Sequence, residues 1–329
     1  GMHLEMPGRK ERLTNLEIIE AVRSGVLDGA QLDALVKDLL RVVFMADAAA
    51  KPMDQNIEAH HALARKIAGQ TMVLLKNEGS VLPLSADRLK RVAVIGEFAE
   101  KPRYQGNGSS EVKPTQLDSV RDILVKEYGD AIRFDYAPGY RLDDDDDTRG
   151  IAKATALARK ADVALLLVGL PQHYESEGID REHIHLPPAH NALVEAVAAV
   201  QPNTVVILTN GSAVAMPWAH QVPAIVEGWL HGQAGAGAVT DVVFGAVNPS
   251  GKLAETFPRR LEDTPAFLNF PGEHGEVLYG ERIFVGYRWY DARAIAPLFP
   301  FGHGLSYTEF AYSDIKVSSK RFSDRDTLT

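Results

Sequence analysis

Two spacings of apolar residues alternate along most of the chain. Helical periodicity covers residues 57–76, 117–128, 151–160, 187–200 and an Ala/Gly-rich stretch at 235–245. Between these lie short, continuous apolar runs at 91–96, 162–169, 204–209 and 224–229, with a weaker one at 132–136. Runs that are apolar on both faces and separated by helices predict a largely parallel sheet covered on both sides. The fold class expected for residues 57–256 is therefore an α/β, three-layer α/β/α sandwich.

Upstream, residues 15–45 read as helix. Leu16, Ile18, Ile19 and Val22 share one face, and Leu32, Leu35, Val36, Leu39, Leu40 and Val43 share another. Asp28-Gly29 interrupts them as a turn or a cap. Such a segment is too small for a domain, so it reads as the end of a preceding unit, with 46–56 (containing Lys51-Pro52-Met53-Asp54) as a linker. Downstream, periodicity fades over 257–312, where Tyr287, Trp289, Tyr290, Phe299, Phe301, Tyr307 and Phe310 supply aromatic packing. An aromatic cover over the sheet is favoured there over a binding wall. The closing Phe322 to Thr329 shows an alternating pattern just starting, so both ends read as cut.

Composition narrows the function. The 329 residues are 45% hydrophobic and 24% charged, as in soluble globular proteins. With no cysteine there is no disulfide, thiolate metal site or cysteine nucleophile. A net charge of −9 argues against a nucleic-acid partner, and no apolar run has membrane-spanning length. The opening Gly1-Met2-His3-Leu4 lacks the pattern of a signal peptide, which leaves the compartment open because the beginning reads as cut.

Parallel sheets bind ligands at the carboxyl ends of their strands. Two long polar loops occupy such places: Tyr104 to Glu111 after the 91–96 run, and Gln172 to Glu182 after the 162–169 run. If those strands are neighbours, the loops meet. The first loop lacks G-x-G-x-x-G and G-K-[ST], so it reads as a hydroxyl-bearing hairpin or a plain surface turn rather than a phosphate cradle. The second crowds Glu175, Glu177, Asp180 and Glu182 around Arg181. Crowded carboxylates raise the pKa of any that is partly buried, which suits a general acid, whereas a solvated acidic loop needs no function. The residues alone leave those two readings even. The run Asp143 to Asp147 lacks calcium-loop spacing and reads as a solvated turn. His60-His61 and His183/His185 lack the spacing of a zinc helix, no G-x-S-x-G elbow is present, and neither a metal nor a cofactor is expected.

Several segments, in order, resemble the glycoside hydrolase family 3 β-glucosidases. They are Glu5-Met6-Pro7-Gly8, Val73-Leu74-Leu75-Lys76-Asn77-Glu78, Glu175-Ser176-Glu177-Gly178-Ile179-Asp180-Arg181 and Gly251-Lys252-Leu253. Pro265-Ala266-Phe267-Leu268-Asn269-Phe270, Tyr279-Gly280-Glu281, Phe284-Val285-Gly286-Tyr287-Arg288-Trp289-Tyr290 and Pro300-Phe301-Gly302-His303-Gly304-Leu305-Ser306-Tyr307 complete the set. The resemblance implies a (β/α)8-barrel tail over 1–45, an (α/β)6 sandwich over 57–312 and the start of a fibronectin type III-like domain over 313–329. It also implies retaining hydrolysis of terminal non-reducing β-D-glucosyl residues, with the barrel as partner domain and a β-glucoside or oligosaccharide as substrate. Glu177 maps to the family's acid/base, with Glu175 as fallback, and Ser109 to a position that contacts sugar hydroxyls in some members. Ile179 stands where tyrosine is common, and the chain contains no Ser-Asp-Trp motif for the nucleophilic aspartate, so alone it is expected to be inactive or nearly so. The competing readings are a non-catalytic carbohydrate-binding or scaffolding module, a related β-xylosidase or natural-product glycosidase, and, on fold analogy only, a nucleotide-binding protein. A homo-oligomer is compatible with all of them.

Overall fold

The computed structural model describes residues 2–6, 8–9, 13–51 and 55–327. Pro7 of the Glu5-to-Gly8 segment and 52–54 of the expected linker lie outside the described residues. The chain divides into two units, 1–56 and 57–329. The first holds α1 (Leu13–Arg23) and α2 (Gly29–Ala49), so the break expected at Asp28-Gly29 is real. Asp28 is the N-cap of α2, its carboxylate accepting from the Ala30 N–H at 3.0 Å, one of the amides the helix cannot satisfy itself.

The second unit is the expected sandwich. Its elements run α3 (Ile57–Thr71), β1 (Val73–Asn77), β2 (Arg91–Ile95), α4 (Val120–Tyr128), β3 (Arg133–Ala137), α5 (Ile151–Ala158), β4 (Val163–Gly169), α6 (Pro188–Ala198), β5 (Thr204–Thr209), β6 (Ala224–Glu227), α7 (Gly235–Val243) and α8 (Tyr287–Arg293). The sheet order is β1-β6-β5-β4-β2-β3, and every pairing except β1 with β6 is parallel. All residues of β4, β5 and β6 are buried, which is why these strands carry apolar residues on both faces. Among the described residues no helix is long and apolar enough to cross a membrane.

One expected element is wrong. The helix predicted over 57–76 stops at Thr71, and Val73 to Asn77 form an antiparallel edge strand instead. Pairing with β6 decides this, because it buries Met72, Val73, Leu74 and Leu75 completely or nearly so. A register irregularity between Leu74 and Lys76 absorbs the mismatch, and the Asn77 side chain closes the strand end by bonding the Leu82 N–H and carbonyl.

The 257–312 segment is irregular apart from short helical turns and α8. Much of it covers the sheet: Phe257 is fully buried, the Leu305 N–H donates to the Leu74 carbonyl, and the Tyr307 hydroxyl donates to the Val242 carbonyl at 2.8 Å. Tyr287 and Phe301 instead stack on each other, half exposed, beside a hollow of about 560 Å³. No helix or strand occurs over residues 311–327.

Candidate active site

Because β2 and β4 pair in parallel, both emit their following loops at the same sheet edge. The two loops do meet there. The Ser109 N–H donates to Glu177 Oε2 at 2.7 Å, and Gln172 Nε2 donates to Asn107 Oδ1 at 2.6 Å and also to Glu111 Oε1. Gly108 makes the approach feasible. Its φ of +88° is one that side-chain-bearing residues rarely adopt, and a Cβ there would lie 2.7 Å from Glu177 Cβ.

The carboxylates of the second loop take separate places. Glu177, Asp180 and Glu182 are exposed, whereas the Glu175 side chain is only 13% accessible. Glu175 Oε2 accepts from Arg103 Nη1 at 2.7 Å and from the Gly211 N–H at 2.8 Å. Its Oε1 accepts from the Ser212 hydroxyl at 2.6 Å and lies 3.6 Å from Arg181 Nη1. Burial pushes the Glu175 pKa up, but hydrogen bonds from Ser212, Gly211 and Arg103 outweigh it, and the net shift is downward. With three hydrogen bonds and two ion pairs, both Glu175 oxygens are engaged by the protein.

Glu177 differs in having room. Hydrogen bonds from the Ser109 hydroxyl and then its N–H hold the Glu177 carboxyl below the usual carboxylate range. This corrects the expectation that crowding raises it. Separation and solvent screen the neighbouring carboxylates, whereas donors aimed at the anion stabilise its charged form. Ser109, expected as a ligand contact, is placed beside Glu177 and donates to it through its N–H. An open cavity of about 310 Å³ joins Glu175 and Glu177, lined also by Arg103, Asn107, Ile179 and Arg181 among others. A larger hollow of about 610 Å³ lies behind the first loop, between Phe98, Tyr104, Val112 and Pro171, and excludes Glu177.

Two further loops that sequence reasoning passed over complete the edge. Gly211 and Ser212 follow β5, and Leu230 follows β6. The same strand-end rule, applied to the 204–209 and 224–229 runs, reaches both. Beneath them Glu227 is fully buried, accepting from the Trp229 N–H at 2.8 Å and Asn210 Nδ2 at 3.0 Å. Burial pushes its pKa up to about 8.

Among the described residues no group of three or more His, Cys, Asp or Glu is placed to hold a metal ion. In the aspartate run, Asp143 pairs with Arg141, Asp147 with Arg149, and Asp145 accepts from Tyr174 and contacts His173.

Comparison with known proteins defines the family. Residues 72–307 match the Glycosyl hydrolase family 3 C-terminal domain, and the chain belongs to that family. It is 51% identical, over all of its length and 43% of the relative's, to the thermostable β-glucosidase B of Acetivibrio thermocellus. It is 42% identical, over 97% of the chain and 43% of the relative, to an exo-α-(1→6)-L-arabinopyranosidase of Bifidobacterium longum. The crystal structure of the Bifidobacterium adolescentis family 3 β-glucosidase superposes with a TM-score of 0.81 at 43% identity, covering 98% of this chain and 47% of that one. The chain thus spans less than half the length of these relatives.

Proposed function

We propose that this chain is the C-terminal portion of a retaining β-glucosidase and that Glu177 is its general acid/base. The observation that carries the reading is the contrast within one loop. Glu175 is fully engaged, whereas Glu177 is exposed at the strand ends, oriented by Ser109 and open on its other side. The nucleophilic aspartate comes from an N-terminal barrel, of which residues 1–45 are the tail. Residues 46–56 link that tail to the sandwich at 57–312, and 313–329 begin a fibronectin type III-like domain.

In a retaining reaction one carboxylate attacks the anomeric carbon while a carboxylic acid protonates the departing oxygen, then deprotonates water. The two carboxyl groups must stand about 5–5.5 Å apart. Glu177 alone is held ionised, which is the wrong state for the first step. Docking a second carboxylate at that distance and excluding water both favour the protonated form. Assembly thus makes the acid, and an unassembled chain is inactive or nearly so.

The terminal sugar is a β-D-glucosyl group, as the names of the β-glucosidase relatives suggest. The arabinopyranosidase relative at 42% identity widens the candidates to pentopyranosides, β-xylosides among them. The test is Glu177→Gln in the intact enzyme. Turnover of alkyl glycosides, which need protonation to depart, should fall about 10²–10⁴-fold, the range general acids contribute. Unchanged turnover of such substrates removes the role.

A further inference from the structure

We infer that Glu175 is the positioning residue that holds the Glu177 loop in its working place by tying three strand-end loops together. The inference rests on Glu177 being the acid. Arg103 reaches Glu175 from the loop after β2, Arg181 from the same loop after β4, and Gly211 with Ser212 from the loop after β5. Arg103 is buried and does more than pair charge. Its Nη1 also donates to the Leu170 carbonyl at 2.6 Å and its Nη2 to the Glu175 carbonyl at 3.2 Å, fixing the backbone at both ends of the 170–175 stretch. Arg181, in turn, donates through Nη1 to the Ser212 hydroxyl at 2.7 Å and the Ala213 carbonyl at 3.2 Å.

One carboxylate thus closes a ring of donors from three separate segments. Three residues later the chain turns at Gly178, with φ of +78°, and Glu177 projects from the same turn onto the Ser109 N–H. Position follows from that sequence of contacts. Without Glu175 the Arg103 guanidinium, mostly removed from water, loses its counter-ion, Arg181 keeps only Glu255, and the two guanidinium groups repel each other across the loop. The 175–178 turn then loses its own bonds to Gly211 and Ser212, and the loop keeps only those of Arg181 on the β5 side.

The test has two readouts. On the 329-residue chain, the Glu177 carboxyl is titrated by carbon NMR and the Ser109 amide shift is followed. Glu175→Gln should return Glu177 to the ordinary carboxylate range and move the Ser109 amide. In the intact enzyme the same variant should lose about 10²-fold in kcat on alkyl glucosides, the cost of a displacement near 1 Å, and far less on 2,4-dinitrophenyl glucoside, whose leaving group needs no acid. A merely structural ion pair predicts a lower melting temperature with equal loss on both substrates. Unchanged Glu177 titration and Ser109 amide in a folded Glu175→Gln overturn the inference, as does an equal loss. Should that variant not fold, Ser212→Ala removes one short donor and must move the same two signals, less far; no movement overturns the inference too. Intact enzyme that keeps full activity as Glu177→Gln instead defeats the acid assignment, while the Ser109 amide still reports whether Glu175 anchors the turn.

Discussion

Gly108→Ala tests how closely the two loops must approach. The change has two costs. At φ +88° an alanine sits in left-handed backbone space, about 1–2 kcal/mol less favourable than for glycine. Its methyl group would also stand 2.7 Å from Glu177 Cβ and 2.9 Å from Oε2, where ordinary contact begins at 3.4 Å. Glu177 must therefore retreat by about 0.7 Å, the difference between 2.7 and 3.4 Å, and it leaves the Ser109 N–H as it goes. Displacements of that order cost about 10²-fold when the displaced group takes part in the reaction. The loop is exposed and distant from the sheet core, so the melting temperature should fall by only a few degrees. The assay compares kcat/KM of the intact enzyme for an alkyl glucoside and for 2,4-dinitrophenyl glucoside, alongside thermal unfolding of the chain. Wild-type rates on the alkyl glucoside refute the reasoning, because the methyl group would then be accommodated without moving the acid.

Three more predictions concern titrating groups. Burial lowers the pKa of His190 to about 3 and of His231 to about 4. Their folded values lie below the unfolded 6.5, so the stability they allow is present above that pH and lost as pH falls towards 3. His190→Gln should reduce the slope of unfolding free energy between pH 4 and 6 by about 1.4 kcal/mol per pH unit, read by urea titrations; an unchanged slope contradicts the burial argument. Glu227 behaves oppositely: its folded pKa, raised to about 8, means stability present below pH 4.5 is lost as pH rises through 8. Glu227→Gln should remove that decline, and a decline that persists points to another group. Finally, Ser109→Ala keeps the N–H but removes the hydroxyl that lowers Glu177 most, so the Glu177 carboxyl should titrate higher in the isolated chain by carbon NMR.

What could be read from the sequence was set by the range of the interactions concerned. The strands at 163–169 and 204–209 declared themselves because burial on both faces demands apolar residues at every position. The meeting of the two loops followed from strand adjacency and needed no side-chain detail. β1 stayed hidden because Val73, Leu74 and Leu75 continue the helical spacing of α3, and a short apolar run cannot by itself be told from buried helix. Its strand character comes from Ala224 to Glu227, far along the chain. The ionisation of Glu177 was misjudged for a similar reason. Its neighbours in sequence are acidic, but its partner Ser109 is 68 positions away. Arg103 carried no local signal either, being 72 positions from Glu175.

The decisive property is whether Glu177 protonates the leaving group and then activates water. In the intact enzyme, Glu177→Ala should cleave 2,4-dinitrophenyl β-glucoside slowly, because the glycosyl-enzyme forms but no base activates water. Added azide should accelerate it by attacking the freed face, and the product should be β-glucosyl azide, with configuration retained. Nuclear magnetic resonance of the product mixture decides the matter. Accumulation of β-glucosyl azide is the predicted result; an enzyme that hydrolyses at the wild-type rate, or that yields no azide product, contradicts the assignment.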